Sequence, residues 1–111
     1  MDPRVARIVS ILERSWHAHV RVEELARDVG LCTSRLAHLF KQEARISIRD
    51  FVRERRLEAA ANLLRTTFER VSVISFRVGF QHPANFNHAF KKRFGLSPGE
   101  YRAGGAADPT K

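Results

Sequence analysis

Two short stretches hold the residues best suited to chemistry with a partner. The first is Ser34, Arg35, Ala37, His38, Lys41 and Gln42; the second is Ala84, Asn85, Asn87, His88, Lys91 and Lys92. An arginine fork matches the O6/N7 edge of guanine or a phosphate, and an asparagine amide pairs bidentately with adenine N6/N7. Arg35 is therefore a candidate for guanine or phosphate, and Asn85 or Asn87 for adenine. His38 and His88 can donate or accept at a base edge, and Ala37 offers only a methyl, as to thymine. Lys41, Gln42, Lys91 and Lys92 lie farther along and are expected to clamp phosphates, as are Arg49 and Arg53. Other chemistries have little support. The five histidines are scattered, and His17-x-His19 lacks the further ligands of a zinc site. The single cysteine, Cys32, excludes a disulfide framework and fits a small residue before a helix better than a redox switch. No Gly-rich phosphate loop, HExxH or nucleophile elbow occurs. No catalytic residue, metal ligand or cofactor is assigned.

The apolar spacing says which way these residues must face. Leu36, Leu39 and Phe40 mark the inner side of a helix over 33–43, and Phe86, Ala89 and Phe90 that of a helix over 83–93. Ser34, Arg35, Ala37 and His38 then face outward on one, and Ala84, Asn85, Asn87 and His88 on the other. The rest of the chain is helical in pattern, with Gly and Pro at borders. Helices are predicted over 3–16 (cap Asp2, Pro3 at N1), 22–29 (ended by Gly30), 48–65 (opened by Ser47 and Asp50) and 71–78. A last short helix starts at Ser97-Pro98-Gly99-Glu100. The fold class is all-α, with about seven helices.

The sequence repeats itself. Val22-x-x-Leu25-Ala26-x-x-Val29-Gly30-Leu31 matches Val71-x-x-Ile74-Ser75-x-x-Val78-Gly79-Phe80 at an offset of 49. Leu36-x-His38-x-Phe40-Lys41 matches Phe86-x-His88-x-Phe90-Lys91 at an offset of 50, with Gln81 as the extra residue. Each copy has helix-turn-helix spacing: a small residue at the crossing, a glycine four later, then an apolar anchor for the second helix. The organisation expected is a first helix-turn-helix subdomain (1–46), a linker helix (47–66), a second subdomain (67–102) and a disordered tail (103–111).

These features resemble the DNA-binding domain of AraC/XylS-type bacterial transcription regulators, over about residues 5–102. The resemblance rests on Glu24-Leu25-Ala26, Leu36-x-x-Leu39-Phe40-Lys41 and Arg56-Leu57-x-x-Ala60-x-x-Leu63-Leu64. It is most specific at Val78-Gly79-Phe80, Asn85-Phe86, Phe90-Lys91-Lys92-x-Phe94-Gly95-Leu96-Ser97-Pro98 and Tyr101-Arg102. It implies two recognition helices in major grooves, with activation or repression of transcription as the outcome. It also implies that Arg56 helps tie the subdomains together; Arg53 and Arg55 stay open between framework and phosphate. Four departures stand out. Cys32 replaces the usual Ser-type cap, leaving Thr33 to cap the first recognition helix. His82 stands where the family commonly has Asp or Ser, with Pro83 to preorganise the turn. His38 and His88 occupy positions where Arg is frequent. Arg45 replaces a common Gly and must strain the turn or change it.

Composition agrees with a nucleic-acid partner. The 111 residues carry 20 Lys+Arg, mostly Arg, against 12 Asp+Glu, a net +8. The excess is uneven, at +2 for residues 1–50 and +6 for 51–111. An 18-residue linker helix spans roughly 27 Å, so the recognition helices could sit about one DNA turn, roughly 34 Å, apart. Unequal repeats predict an asymmetric target. The expected partner is double-stranded DNA, with RNA polymerase weighed as a second. Membrane association and a small-molecule effector are not expected, the protein is expected in the cytoplasm, and this domain is expected to be a monomer. The rival reading is a protein-interaction module acting on RNA polymerase or another regulator without sequence readout.

Overall fold

Residues 1–105 are described in the computed structural model. They form seven α-helices: α1 Pro3–Ser15, α2 Val22–Asp28, α3 Thr33–Ala44, α4 Ile48–Thr66, α5 Val71–Arg77, α6 Pro83–Phe94 and α7 Pro98–Glu100. A π-type turn, Tyr101–Gly105, follows α7 and is broken at Gly104, and no strand occurs among the described residues. The expected tail thus begins inside this turn at Ala103, and 106–111 lie outside the described residues. Two compact units divide the chain, Met1–Arg55 and a second from Arg56 onward. The division falls inside α4, which the sequence pattern sets apart as a linker.

Local chemistry explains the boundaries. Asp2 accepts the Arg4 N–H at 2.8 Å, and Pro3 takes the first helical position, where its missing N–H costs nothing. Ser47 Oγ accepts the Asp50 N–H at 3.1 Å and opens α4. At α7 the capping box is complete: Ser97 Oγ accepts the Glu100 N–H, and the Glu100 carboxylate accepts the Ser97 N–H at 2.9 Å. The expected Thr33 cap does not form. Cys32 holds the N-cap position of α3, with no side-chain bond to the helix backbone.

In the first unit Val5, Ile8 and Leu12 of α1 bury against Leu25 and Ala26 of α2, Leu36 and Phe40 of α3, and Ile48 and Val52 of α4. Phe51 meets Phe40 edge-on at 5.9 Å. Polar bonds tie the rim: Arg7 to Asp28 joins α1 to α2, and the Asp2 N–H to Glu43 joins the start of α1 to the end of α3. Arg55 meets Glu13 of α1 at 2.6 Å while its guanidinium lies 4.6 Å from the Phe51 ring centre. That bond holds the Glu13 carboxyl below its ordinary value. Arg55, open from sequence, is therefore a framework residue.

In the second unit Leu57, Ala60, Ala61 and Leu64 of α4 are buried, with Ile74, Ser75, Val78, Phe86, Phe90 and Tyr101. Aromatic contacts run from Phe80 to Phe86 (5.3 Å), Phe86 to Phe90 (5.6 Å) and Phe90 to Tyr101 (5.3 Å). Arg102 donates to the Leu64 and Thr67 carbonyls, both at 3.3 Å, and so satisfies acceptors freed at the end of α4. Arg65 donates to the Tyr101 hydroxyl at 2.5 Å. These bonds give the Tyr101-Arg102 pair a structural reason.

The turns after α3 and α6 are built alike from unlike residues. Arg45 (φ 67°) and Gly95 (φ 80°) both adopt the left-handed conformation, and each N–H reaches back to the carbonyl of Lys41 or Lys91. Arg45 keeps the family turn at a steric cost that glycine avoids. We expect Arg45→Gly to stabilise the protein by about 1 kcal/mol in urea unfolding. A Cβ at Gly95 meets nothing within 4 Å, so Gly95→Ala should lose about 1 kcal/mol from conformation alone. An unchanged Arg45→Gly midpoint would show that the turn stores no strain.

Candidate nucleic-acid interface

Each unit sets its outer helix by the same device. α2 ends with the Gly30 N–H on the Arg27 carbonyl (3.2 Å) and the Leu31 N–H on the Ala26 carbonyl (2.9 Å). α5 ends with the Gly79 N–H on the Phe76 carbonyl (3.0 Å) and the Phe80 N–H on the Ser75 carbonyl (2.9 Å). Both are Schellman closures, and both need the left-handed glycine: φ is 73° at Gly30 and 105° at Gly79. Ala26 and Ser75 are buried, and the Ser75 hydroxyl donates to the Ser72 carbonyl at 2.7 Å, so the polar side chain carries no unmet bond. Small side chains allow the next helix to approach closely.

That next helix is anchored by its inner face. Leu36 and Phe40 of α3, and Phe86 and Phe90 of α6, have no exposed surface. Leu39 and Ala89 are half-buried at the edge of the same face. The outer face follows by helical geometry. Ser34, Arg35, Ala37, His38, Lys41 and Gln42 are all exposed along α3. Ala84, Asn85, Asn87, His88, Lys91 and Lys92 are all exposed along α6. Asn87, His88 and Lys91 also line an open groove with Val71, Ser97, Pro98 and Gly99; Ala84, Asn85 and Lys92 lie outside it.

The cations differ in their partners. Arg49 and Arg53 are both exposed on α4, but Arg53 pairs with Asp50, three residues before it. Among the described residues no carboxylate pairs with Arg35, Lys41, Arg49 or Lys92. Lys91 helps lower the Glu100 carboxyl, which is held down chiefly by the Ser97 N–H. Arg56 is half-buried, and that burial pushes its guanidinium pKa down. One repeated cation escapes the reading of the two stretches. Arg21 and Arg70 both hold the N-cap position of the first helix in their motif, both are exposed, and the offset of 49 relates them. The repeat itself is the signal that finds them. Among the described residues no cluster of three His, Cys, Asp or Glu could hold a metal, and no helix is long and apolar enough to cross a membrane.

The comparisons with known proteins bear on this arrangement. A helix-turn-helix domain family model matches residues 25–104. The arabinose operon regulatory proteins of Salmonella typhimurium and Escherichia coli are 38% and 39% identical over 105 residues. The chain belongs to the AraC-type helix-turn-helix family. Those alignments cover 94% of this chain but 37% and 36% of the relatives, so the chain spans about a third of the curated relatives it matches. The C-terminal domain of AraT, a response regulator from Geobacillus stearothermophilus, superposes with TM-score 0.85 at 31% identity, over 92% of this chain and 85% of that one. The DNA-binding domain of AdpA, solved in complex with a target DNA, superposes with TM-score 0.84 at 25% identity, over 97% and 98%.

Within this AraC-type frame the residue that departs most in chemistry is Cys32. It is exposed beside the reading face, with its Sγ 3.5 Å from Ser34 Oγ. That hydrogen bond, helped by backbone N–H groups at the start of α3, holds the thiol below its ordinary value. We expect alkylation of Cys32 by iodoacetamide to reach half-maximal rate at a lower pH than for a free cysteine. Ser34→Ala should move that midpoint upward. An unmoved midpoint would mean that Ser34 contributes nothing to thiolate stability.

Proposed function

We propose that the chain binds double-stranded DNA sequence-specifically and regulates transcription in the bacterial cytoplasm. In this reading α3 and α6 enter successive major grooves of an asymmetric site. The observation that carries it is the duplication: two helix-turn-helix motifs, each presenting an exposed, acid-poor helix beyond a Schellman turn. The AdpA domain bound to target DNA supports the same use of this fold.

The roles divide by chemistry. Arg35 takes a guanine edge or a phosphate, Asn85 or Asn87 an adenine, and His38 and His88 a base edge in each half. Ser34, Ala37 and Ala84 pack at the groove floor, where a methyl meets thymine and a hydroxyl accepts or donates. Lys41, Gln42, Arg49, Lys91 and Lys92 hold phosphates, with Arg21 and Arg70 added at the helices that cross the backbone. Arg53 reaches a phosphate only by leaving Asp50, and Arg21 only by leaving Glu24 at 3.9 Å, so their contributions are smaller. The named relatives are regulators, and we assign no catalytic residue, metal or cofactor. The domain acts as a monomer on DNA, without a small-molecule effector of its own, and RNA polymerase is the second partner.

Selection from random DNA, followed by alanine substitution of Arg35, His38, Asn85, Asn87 and His88, tests the reading faces. Each substitution at a base contact should relax preference at one or two positions, at a cost of about 1–3 kcal/mol. Lys91→Ala or Lys92→Ala should weaken all sequences alike and flatten the log K against log salt slope by about one. Unaltered preference in all five alanine variants, or a footprint confined to one groove, would reject the assignment.

A further inference from the structure

The first helix of each motif has an outer face that the recognition helix does not use, and the two copies differ there. Among the described residues the large apolar side chains that stand exposed are Met1, Phe68, Val73 and Phe76. Three of these four fall within nine consecutive residues around α5. Phe68 is fully exposed, Phe76 is 55% exposed and Val73 40%. Val73 and Phe76 are three apart on α5 and share a face. Arg77, one turn after Val73, pairs with Glu69, so the segment carrying Phe68 is pinned back along that helix.

The repeat supplies an internal control. At an offset of 49, Phe68, Val73 and Phe76 correspond to His19, Glu24 and Arg27, which are also exposed. The fold thus accepts charge at these positions, and helix-turn-helix packing gives no reason for apolar residues there. Isolated exposed apolar residues are ordinary on protein surfaces; a cluster confined to one copy of a repeat marks a contact.

We propose that Phe68, Val73 and Phe76 form a docking surface for an acidic amphipathic helix of another protein. Charge chooses the occupant. Arg70 stands exposed at the start of α5 with no carboxylate paired to it among the described residues, Arg77 at the other end is paired with Glu69, and the second half of the chain carries a net +6. A second copy of this chain would bring like charge to like. A helix with apolar side chains at i, i+3 and i+4, flanked by Glu or Asp, meets the apolar strip and Arg70.

The probe is a fluorescein-labelled helical peptide with Leu at i, i+3, i+4 and i+7 and Glu at the flanking positions, beside the same peptide with Lys for Glu. Wild-type protein should bind the Glu peptide saturably, at least about tenfold more tightly than the Lys peptide. The double variant Val73→Glu/Phe76→Arg, which installs the residues of the sister copy, should lose about tenfold or more in peptide affinity. Its DNA affinity and thermal melt should match wild type, which separates this surface from the reading faces. Equal binding of both peptides, or undiminished binding by the double variant, would overturn the proposal. So would concentration-dependent dimerisation in sedimentation that the double variant abolishes, since the occupant would then be a second copy.

Discussion

Everything that α3 and α6 present depends on how closely each can lie on the helix before it. That approach is set by one small buried residue, Ala26 or Ser75, and by one left-handed glycine four positions later. The glycine lets the chain reverse within two residues, and the closing N–H bonds return to the carbonyl of the small residue itself. A larger side chain at that point would lift the second helix off the first. Once the approach is fixed, the anchors Leu36 and Phe40, or Phe86 and Phe90, set the rotation of the outer helix. The exposed residues are then the remainder of the helical period.

Electrostatics sharpens the separation between framework and reading face. Arg4, Arg7, Arg21, Arg53, Arg55 and Arg77 each pair with a carboxylate, and Arg102 satisfies carbonyls. Such exposed pairs add little stability each, but they neutralise charge locally. The outer helices themselves carry few acids. α6 holds Lys91, Lys92 and Arg93 with no acid in its span, and α3 holds Arg35 and Lys41 with Glu43 at its far end. The formal excess of +8 is therefore a poor guide to the field that a partner meets. A phosphate backbone approaching α6 meets Lys91 and Lys92 side by side on its exposed surface.

The sequence made the periodic features legible. Helix order, inner faces and the duplication follow from apolar spacing and glycine placement, and each helix ends within a residue or so of its expected limit. α3 and α6 run one residue beyond expectation because the left-handed residue, Arg45 or Gly95, and not the last apolar one, stops them. What spacing could not reveal depends on contacts distant in sequence. Arg55 lies 42 residues from Glu13, and Arg102 lies 38 from Leu64, so neither role has a local signature. The Cys32 N-cap shows a different limit. Thr33 was the better capper by type, yet the turn geometry assigned the cap position to its neighbour.

Duplication also separates what the fold demands from what a partner demands. Positions alike in both copies, such as the glycine turns and the buried Phe40 and Phe90, answer to packing. Exposed positions unlike in the two copies are free of that constraint and can answer to partners. Arg35 against Asn85 falls in this second class, as does Glu24 against Val73. Arg21 and Arg70, like Lys41 and Lys91, are informative exceptions. Both pairs are alike yet exposed, and no side-chain cap bond explains the arginines at the N-cap positions they hold. A feature common to every stretch of duplex, the phosphate backbone, is what two otherwise divergent motifs would both have to meet, so a cation shared at an exposed position, as at Arg21 and Arg70 or Lys41 and Lys91, answers to charge recognition.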